Sequence, residues 1–314
     1  IANTTASNNT AVGMDALTAN TTGAEGVAVG MSALAANTTG NYGVAVGTYA
    51  LDANTTGDNN IAIGRSALGV NTTGASNTAV GTFALDANPT AANNTAVGYA
   101  SLTANTTGAQ NTAVGQLSGA SNTTGLDNAF FGRQAGYANT TGNYHTAIGT
   151  YALLANTTAD NNTAVGYHAL DANTTGSENT ALGRLALQVN TTASDNTAIG
   201  NATLIYNTTG ANNTAVGSAA LLANTTGAEN TALGKNAGSS VTTGPSNTMI
   251  GYHAGIHSVA TTTGGQNVLL GAYAHTTTDG ATYANVVGYN VAGATDYTTI
   301  GKDSYDIRAA HGTA

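Results

Sequence analysis

Asn111-Thr112-Ala113-Val114-Gly115 decides the fold, because the same five residues or close variants return along most of the chain. The glycine recurs from Gly13 through Gly30 and Gly47 to Gly251 at a constant spacing of 17, which defines fifteen units without an insertion or deletion. Counting from that glycine as position zero, the unit runs Asn-Thr-Ala-Val-Gly, two variable residues, Ala-Leu, one variable residue, Ala, Asn-Thr-Thr-Gly and two more variable residues. Thr-Ala-Val is a short apolar run with a β-branched residue, and Asn-Thr-Thr-Gly is turn chemistry. A unit of this length is too short for a helical-hairpin repeat, which needs about 30 residues or more. The period therefore predicts an all-β parallel β-solenoid, a β-roll with one 17-residue coil per repeat.

Stacked coils lie about 4.8 Å apart, so fifteen would span roughly 70 Å. Two columns form the expected core: the residue before the glycine (Val12, Val29, Val46, Ile63, Val80) and the leucine at +4 (Leu17, Leu34, Leu51, Leu68, Leu85). Ala at −2 and Gly at zero are then expected on the opposite face, thin enough for a second chain to approach. Phe130-Phe131 replaces Ala-Val where Gly119 and Gly136 replace leucine, and Met249 stands beside Gly238 and Gly255. Each set predicts a local repacking that holds volume roughly constant. Beyond Gly251 the equivalent glycines are Gly271, Gly288 and Gly301, at spacings of 20, 17 and 13. We expect the array over residues 1–260 and an irregular cap or junction over 261–314.

Only 7% of residues are charged, against about 25% in an ordinary domain, so Asn, Thr, Ser and Gly must cover the surface. A net charge of −9 with six Lys plus Arg leaves no basic footprint for nucleic acid or anionic lipid. No run approaches the roughly 18 apolar residues of a membrane span, so no membrane insertion is expected. With no cysteine, disulfide and thiol chemistry are excluded. One Val, one Leu and a few Ala per coil bury little surface against the entropy of ordering 17 residues. That imbalance favours a homo-oligomer, with three chains side by side the first choice.

The Asn-Thr-Ala-Val-Gly strand followed by Ala-Leu resembles the head repeat of trimeric autotransporter adhesins, a left-handed parallel β-roll in which three chains pack together. The longer unit, as in Asn162 to Gly176, is similar to repeats of phage tail-fibre and related surface proteins. In many of these an endosialidase-type intramolecular chaperone follows the array, helps it trimerise and cuts itself off. The segment Thr299-Ile300-Gly301 through Asp306-Ile307-Arg308-Ala309-Ala310-His311-Gly312 is similar to what precedes that chaperone, and an end at Ala314 fits its removal. The start at Ile1, inside a repeat, likewise reads as a trimmed or processed piece. The resemblance implies an extracellular location, on a virion tail fibre or a cell surface, and supplies no catalytic motif.

Asn-Thr-Thr at +7, from Asn3 and Asn20 to Asn207 and Asn224, is formally a glycosylation sequon. The alternative is a stacked ladder of side-chain amides. Asn88-Pro89-Thr90 weighs toward the ladder, because proline abolishes acceptor function and the asparagine is still kept. Regular Thr columns also raise ice binding, a weaker alternative since the paired Thr lie beside a Gly turn. No metal is expected: His168 and His253 share position +2 but sit five coils apart, and His257 has no helix to bring it beside His253. The histidines read as solvent-facing residues at variable positions. No phosphate loop, calcium repeat or acid/base pair is present, so we expect no catalytic residues, no cofactor and no enzyme.

Recognition is left to positions +1 and +2. They carry Tyr49, Arg65, Phe83, Tyr99 and Tyr151 in the first half and Tyr167, His168, Tyr252 and His253 in the second. Tyr and Arg are favoured contact residues, and exposed aromatics can stack on sugars. The functional expectation is a structural fibre segment, shaft or adhesive head, of a phage tail fibre or similar appendage that binds host-surface glycan. The alternative is a self-assembling extracellular filament or a bacterial cell-surface adhesin.

Overall fold

The computed structural model describes residues 5–256 and 262–311. It divides into two compact units, Ile1–Asn161 and Asn162–Ala314. In the first, nine three-residue strands run from Thr10–Val12 to Thr146–Ile148, and neighbours one repeat apart within the unit pair in parallel. In the second, six such strands from Thr163–Val165 to Thr248–Ile250 do the same, with Thr163 opposite Thr180 and Ala164 opposite Ala181. No helix occurs among the described residues. Each unit is a parallel β-solenoid with the 17-residue coil that the repeat predicts.

Ladder bonds continue round the turns. Leu34 N–H donates to Ala50 C=O at 3.1 Å, Ser32 N–H to Met14 C=O at 2.8 Å and Thr38 N–H to Thr55 C=O at 2.9 Å. Positions +2, +4 and +12 adopt left-handed backbone, in most coils without a glycine, as at Tyr49 (φ 57), Leu51 (φ 53) and Asn59 (φ 58). An L residue there costs roughly 1–2 kcal/mol, and bonds to the coils on either side offset that cost.

Strand direction corrects the expected core. Ala at −2 is buried in every strand from Val27–Val29 onward where alanine is kept, while both flanking residues turn outward. The column Val12, Val29, Val46, Ile63 and Val80 therefore lies on the outer face. Val12 is 58% and Leu182 44% exposed, whereas Leu34, Leu51 and Leu170 at +4 are fully buried as expected. A coil this short encloses a narrow interior, already holding leucine, the +3 alanine and two asparagines, so only a methyl fits at −2. The key glycine is likewise explained within one chain. A Cβ on Gly81, at φ +141, would stand 2.4 Å from the carbonyl oxygen of Gly98 in the next coil.

The +7 asparagines form the ladder. Asn37 Nδ2 donates to Asn20 Oδ1 at 2.9 Å and to its own coil's Gly40 C=O at 3.0 Å, and Asn54 repeats the pattern on Asn37. Asn88 belongs to the same ladder, its Oδ1 accepting from Asn105 Nδ2 at 3.1 Å. These side chains are buried, so the folded coil leaves no room for a glycan on them; Asn3 lies outside the described residues. A second ladder runs at −4, where Asn77 N–H donates to Asn60 Oδ1 at 2.9 Å and Asn60 Nδ2 to Gly74 C=O at 2.7 Å. Unpaired, these buried amides would each cost about 1–3 kcal/mol.

Both expected repackings occur. Phe130 is fully buried, and a Cβ on Gly119 or Gly136 would meet its ring at 2.7 or 2.3 Å. Met249 fills the corresponding space beside Gly238, where a Cβ would lie 2.6 Å from its Cε. Strand stacking does not stop at Gly251. Thr248 pairs with Val268, Val268 with Asn285 and Asn285 with Thr298, so coils of 20, 17 and 13 residues extend the same parallel order. Changes in turn length are absorbed outside the strand. Tyr297–Lys302 then turns back antiparallel into Tyr305–Ala310, which occupies the edge a further coil would use.

Candidate functional site

After the strand, glycine turns the chain outward, and the next two residues project from the coil edge. Position +1 is exposed at Tyr99, Tyr167, Tyr252 and Tyr289, and position +2 holds a left-handed backbone. Side chains at these positions in neighbouring coils lie about 4.8 Å apart, close enough to stack.

In the first unit Arg65, Phe83 and Tyr99 come together. The guanidinium of Arg65 lies 4.9 Å from the Phe83 ring centre, and Phe83 meets Tyr99 edge-on at 6.3 Å. Burial pushes the carboxyls of Asp52 and Asp86 above the ordinary carboxylate range, while Arg65 pulls Asp86 back down in part. Tyr151 is grouped with Arg133, which stands 5.1 Å over its ring and donates to its hydroxyl. Tyr49 is exposed, and no ring contact groups it with these residues.

In the second unit Tyr167 meets the His168 ring at 4.2 Å, and His168 Nδ1 is 2.5 Å from Asp171 Oδ2. Tyr252 and His253 belong to a larger cluster: Tyr252 meets Tyr273 at 5.4 Å, Tyr273 meets Tyr289 at 6.0 Å, and His253 Nε2 is 3.0 Å from Asn236 Nδ2. Desolvation, then the Tyr252 hydroxyl, raises the Tyr273 phenol above its ordinary range. Tyr273 and Tyr289 escaped the sequence reading because their coils are out of the 17-residue phase. Arg133 was legible, since it shares position +1 with Arg65.

The histidines are not uniformly solvent-facing. His145 occupies a −4 asparagine slot, fully enclosed, stacked 6.5 Å from Phe130 and 3.1 Å from Asn156 Nδ2. His275 is also buried, and His257 lies outside the described residues. Among the described residues no group of three or more His, Cys, Asp or Glu could hold a metal ion. Among the described residues no helix is long and apolar enough to cross a membrane.

These features define a parallel β-solenoid repeat protein whose edge carries aromatic and cationic side chains. No protein-family model, no curated protein and no solved structure matches the chain.

Proposed function

We propose that this chain is a structural segment of an extracellular fibre, the shaft or adhesive head of a phage tail fibre or similar surface appendage, built as a homotrimer. The observation that carries this reading is the outer strand face. In each unit, positions −3 and −1 present Thr, Val, Ile or Leu, apart from Ala129, Phe131 and Asn285, without one charged residue, as at Thr95 and Val97 or Thr214 and Val216. An uncharged, β-branched sheet face is a packing surface in search of a partner, and a second and third copy present the same one. Ladders then supply stiffness, and the coil edge stays outside for contact with a surface glycan.

Because the chain has no cysteine, single introduced thiols test the reading cleanly. Val97→Cys should crosslink chains on mild oxidation, while Asp58→Cys, on a different side of the coil, should not. No crosslink at any −1 position would exclude packing through this face.

The same face favours a second reading. Thr at −3 and Val at −1 alternate along a strand at ladder spacing, so a folded monomer would offer water a regular lattice of hydroxyls and methyls. Thermal hysteresis in a monomeric preparation would support ice binding; its absence would leave the fibre.

A further inference from the structure

Five of the six basic residues, Arg65, Arg133, Arg184, Lys235 and Lys302, fall on position +1, although each coil offers many other variable places. No Asp or Glu occupies that position in any coil. All five are exposed. Ion pairs among the described residues join His168 to Asp171 and Arg308 to Asp306, so none of the five is neutralised by one. In a chain of net charge −9, a random scatter of cations would be the expected solvated surface. Confinement to one column is not.

We propose that the +1 column binds an extended acidic heteropolysaccharide, one in which carboxylated or sulfated sugars are separated by neutral ones. This rests on the glycan-binding reading above and names the glycan's chemical class. Arg65 and Arg133 lie four coils apart in the first unit; in the second, Arg184 and Lys235 are three coils apart and Lys235 and Lys302 four. At about 4.8 Å per coil those gaps are roughly 14–19 Å, too wide for one sugar and suited to a chain. Nucleic acid fits poorly, because its phosphates recur every few Å and binding scales with the number neutralised. A polymer with sparse charge matches sparse cations.

Exposed tyrosines fill the intervals. Tyr99 lies between Arg65 and Arg133, while Tyr252 and Tyr289 lie between Lys235 and Lys302. Each offers an apolar ring face to a neutral sugar and a hydroxyl at its rim. Phe83 and Tyr151 place a ring beneath each of the two guanidinium groups; Arg133 gives one N–H to the Tyr151 hydroxyl, and the other N–H groups are the ones that would contact an anion.

The test is binding of the whole chain to hyaluronan, xanthan and dextran, with single-stranded DNA as a non-glycan polyanion. Expected results are retention on the two acidic polysaccharides, weakening with salt, and at least a tenfold loss on replacing the five cations with glutamine while circular dichroism is unchanged. Tyr252→Ala with Tyr289→Ala should weaken binding at unchanged salt dependence. Equal binding to dextran, insensitive to the glutamine changes, would overturn the acidic specificity and leave the glycan reading standing. DNA binding as tight as hyaluronan would overturn it in favour of simple polyanion capture. No binding to any of the three polysaccharides would overturn both readings.

Discussion

Asn224 is the last rung of its ladder because Val241 occupies the place, one coil on, where the next asparagine would stand. Asn224 Nδ2 donates to Asn207 Oδ1 at 2.8 Å, but Asn224 Oδ1 has no partner. Val241→Asn supplies a donor to that oxygen and should raise stability by about 1 kcal/mol, read as a higher thermal midpoint. Asn105→Val does the reverse, stranding Asn88 Oδ1 and removing the Oδ1 that accepts from Asn122 Nδ2. It should cost about 2–3 kcal/mol.

Gly81→Ala should be among the most damaging single changes. The added methyl would meet the Gly98 carbonyl at 2.4 Å on a backbone at φ +141, and neither coil can shift without breaking its neighbours' ladder bonds. A loss of about 3 kcal/mol or more is expected, measurable by denaturant unfolding. A change similar to that of an exposed-site substitution would contradict the close-approach role of the glycine.

Phe130 and its two glycines should behave as one unit. Phe130→Ala alone leaves a cavity and should cost about 3–5 kcal/mol. Adding Gly119→Leu and Gly136→Leu restores the ordinary coil composition and should recover most of that loss. The same two leucines beside an intact Phe130 should destabilise, since their Cβ atoms alone would stand within 3 Å of the ring. Purely additive effects would refute the shared packing.

Asp52 and Asp86 converge over Gly69, where a Cβ would lie 3.1 Å from Asp86 Oδ1 and 3.6 Å from Asp52 Oδ1. Burial, then the charge of Asp86, holds the Asp52 carboxyl above its ordinary range. The folded chain thus keeps a proton that the unfolded chain has released, so the contribution is fully present below the ordinary carboxylate range and is lost as pH rises through the raised value. Asp52→Asn should match the native melting temperature near about pH 3 and exceed it at about pH 7. A difference constant with pH would contradict the raised Asp52.

Much of this architecture was legible in the period alone. The spacing of the glycines gives the coil, Leu102 and its equivalents give half the core, and Asn88 before Pro89 gives the amide ladder. The direction of the strand was not legible. In a three-residue strand such as Thr112-Ala113-Val114, alternation allows either the middle residue or its two neighbours inside, and hydrophobicity favours valine. Interior volume decides otherwise: with Leu102 and two asparagine ladders already enclosed, only alanine fits. The left-handed backbone at Leu51 or Tyr49 leaves no trace in composition, because these are not residues that favour it. At the coil edge, Arg65 and its aromatic neighbours were visible as a column, but the Tyr273 and Tyr289 contacts depended on coils of altered length.

The outward valine column is where fold and function meet, and changing it should separate assembly from folding. Val97→Lys and Val216→Lys place charge on an outer face in each unit without touching the interior, so circular dichroism should stay unchanged. The most direct measurement is the solution mass by light scattering, on the native chain and on this double variant. We predict three times the mass of one chain for the native protein and a smaller species for the variant. A native chain that is folded and stable at the mass of a single copy would contradict the assembly proposed here.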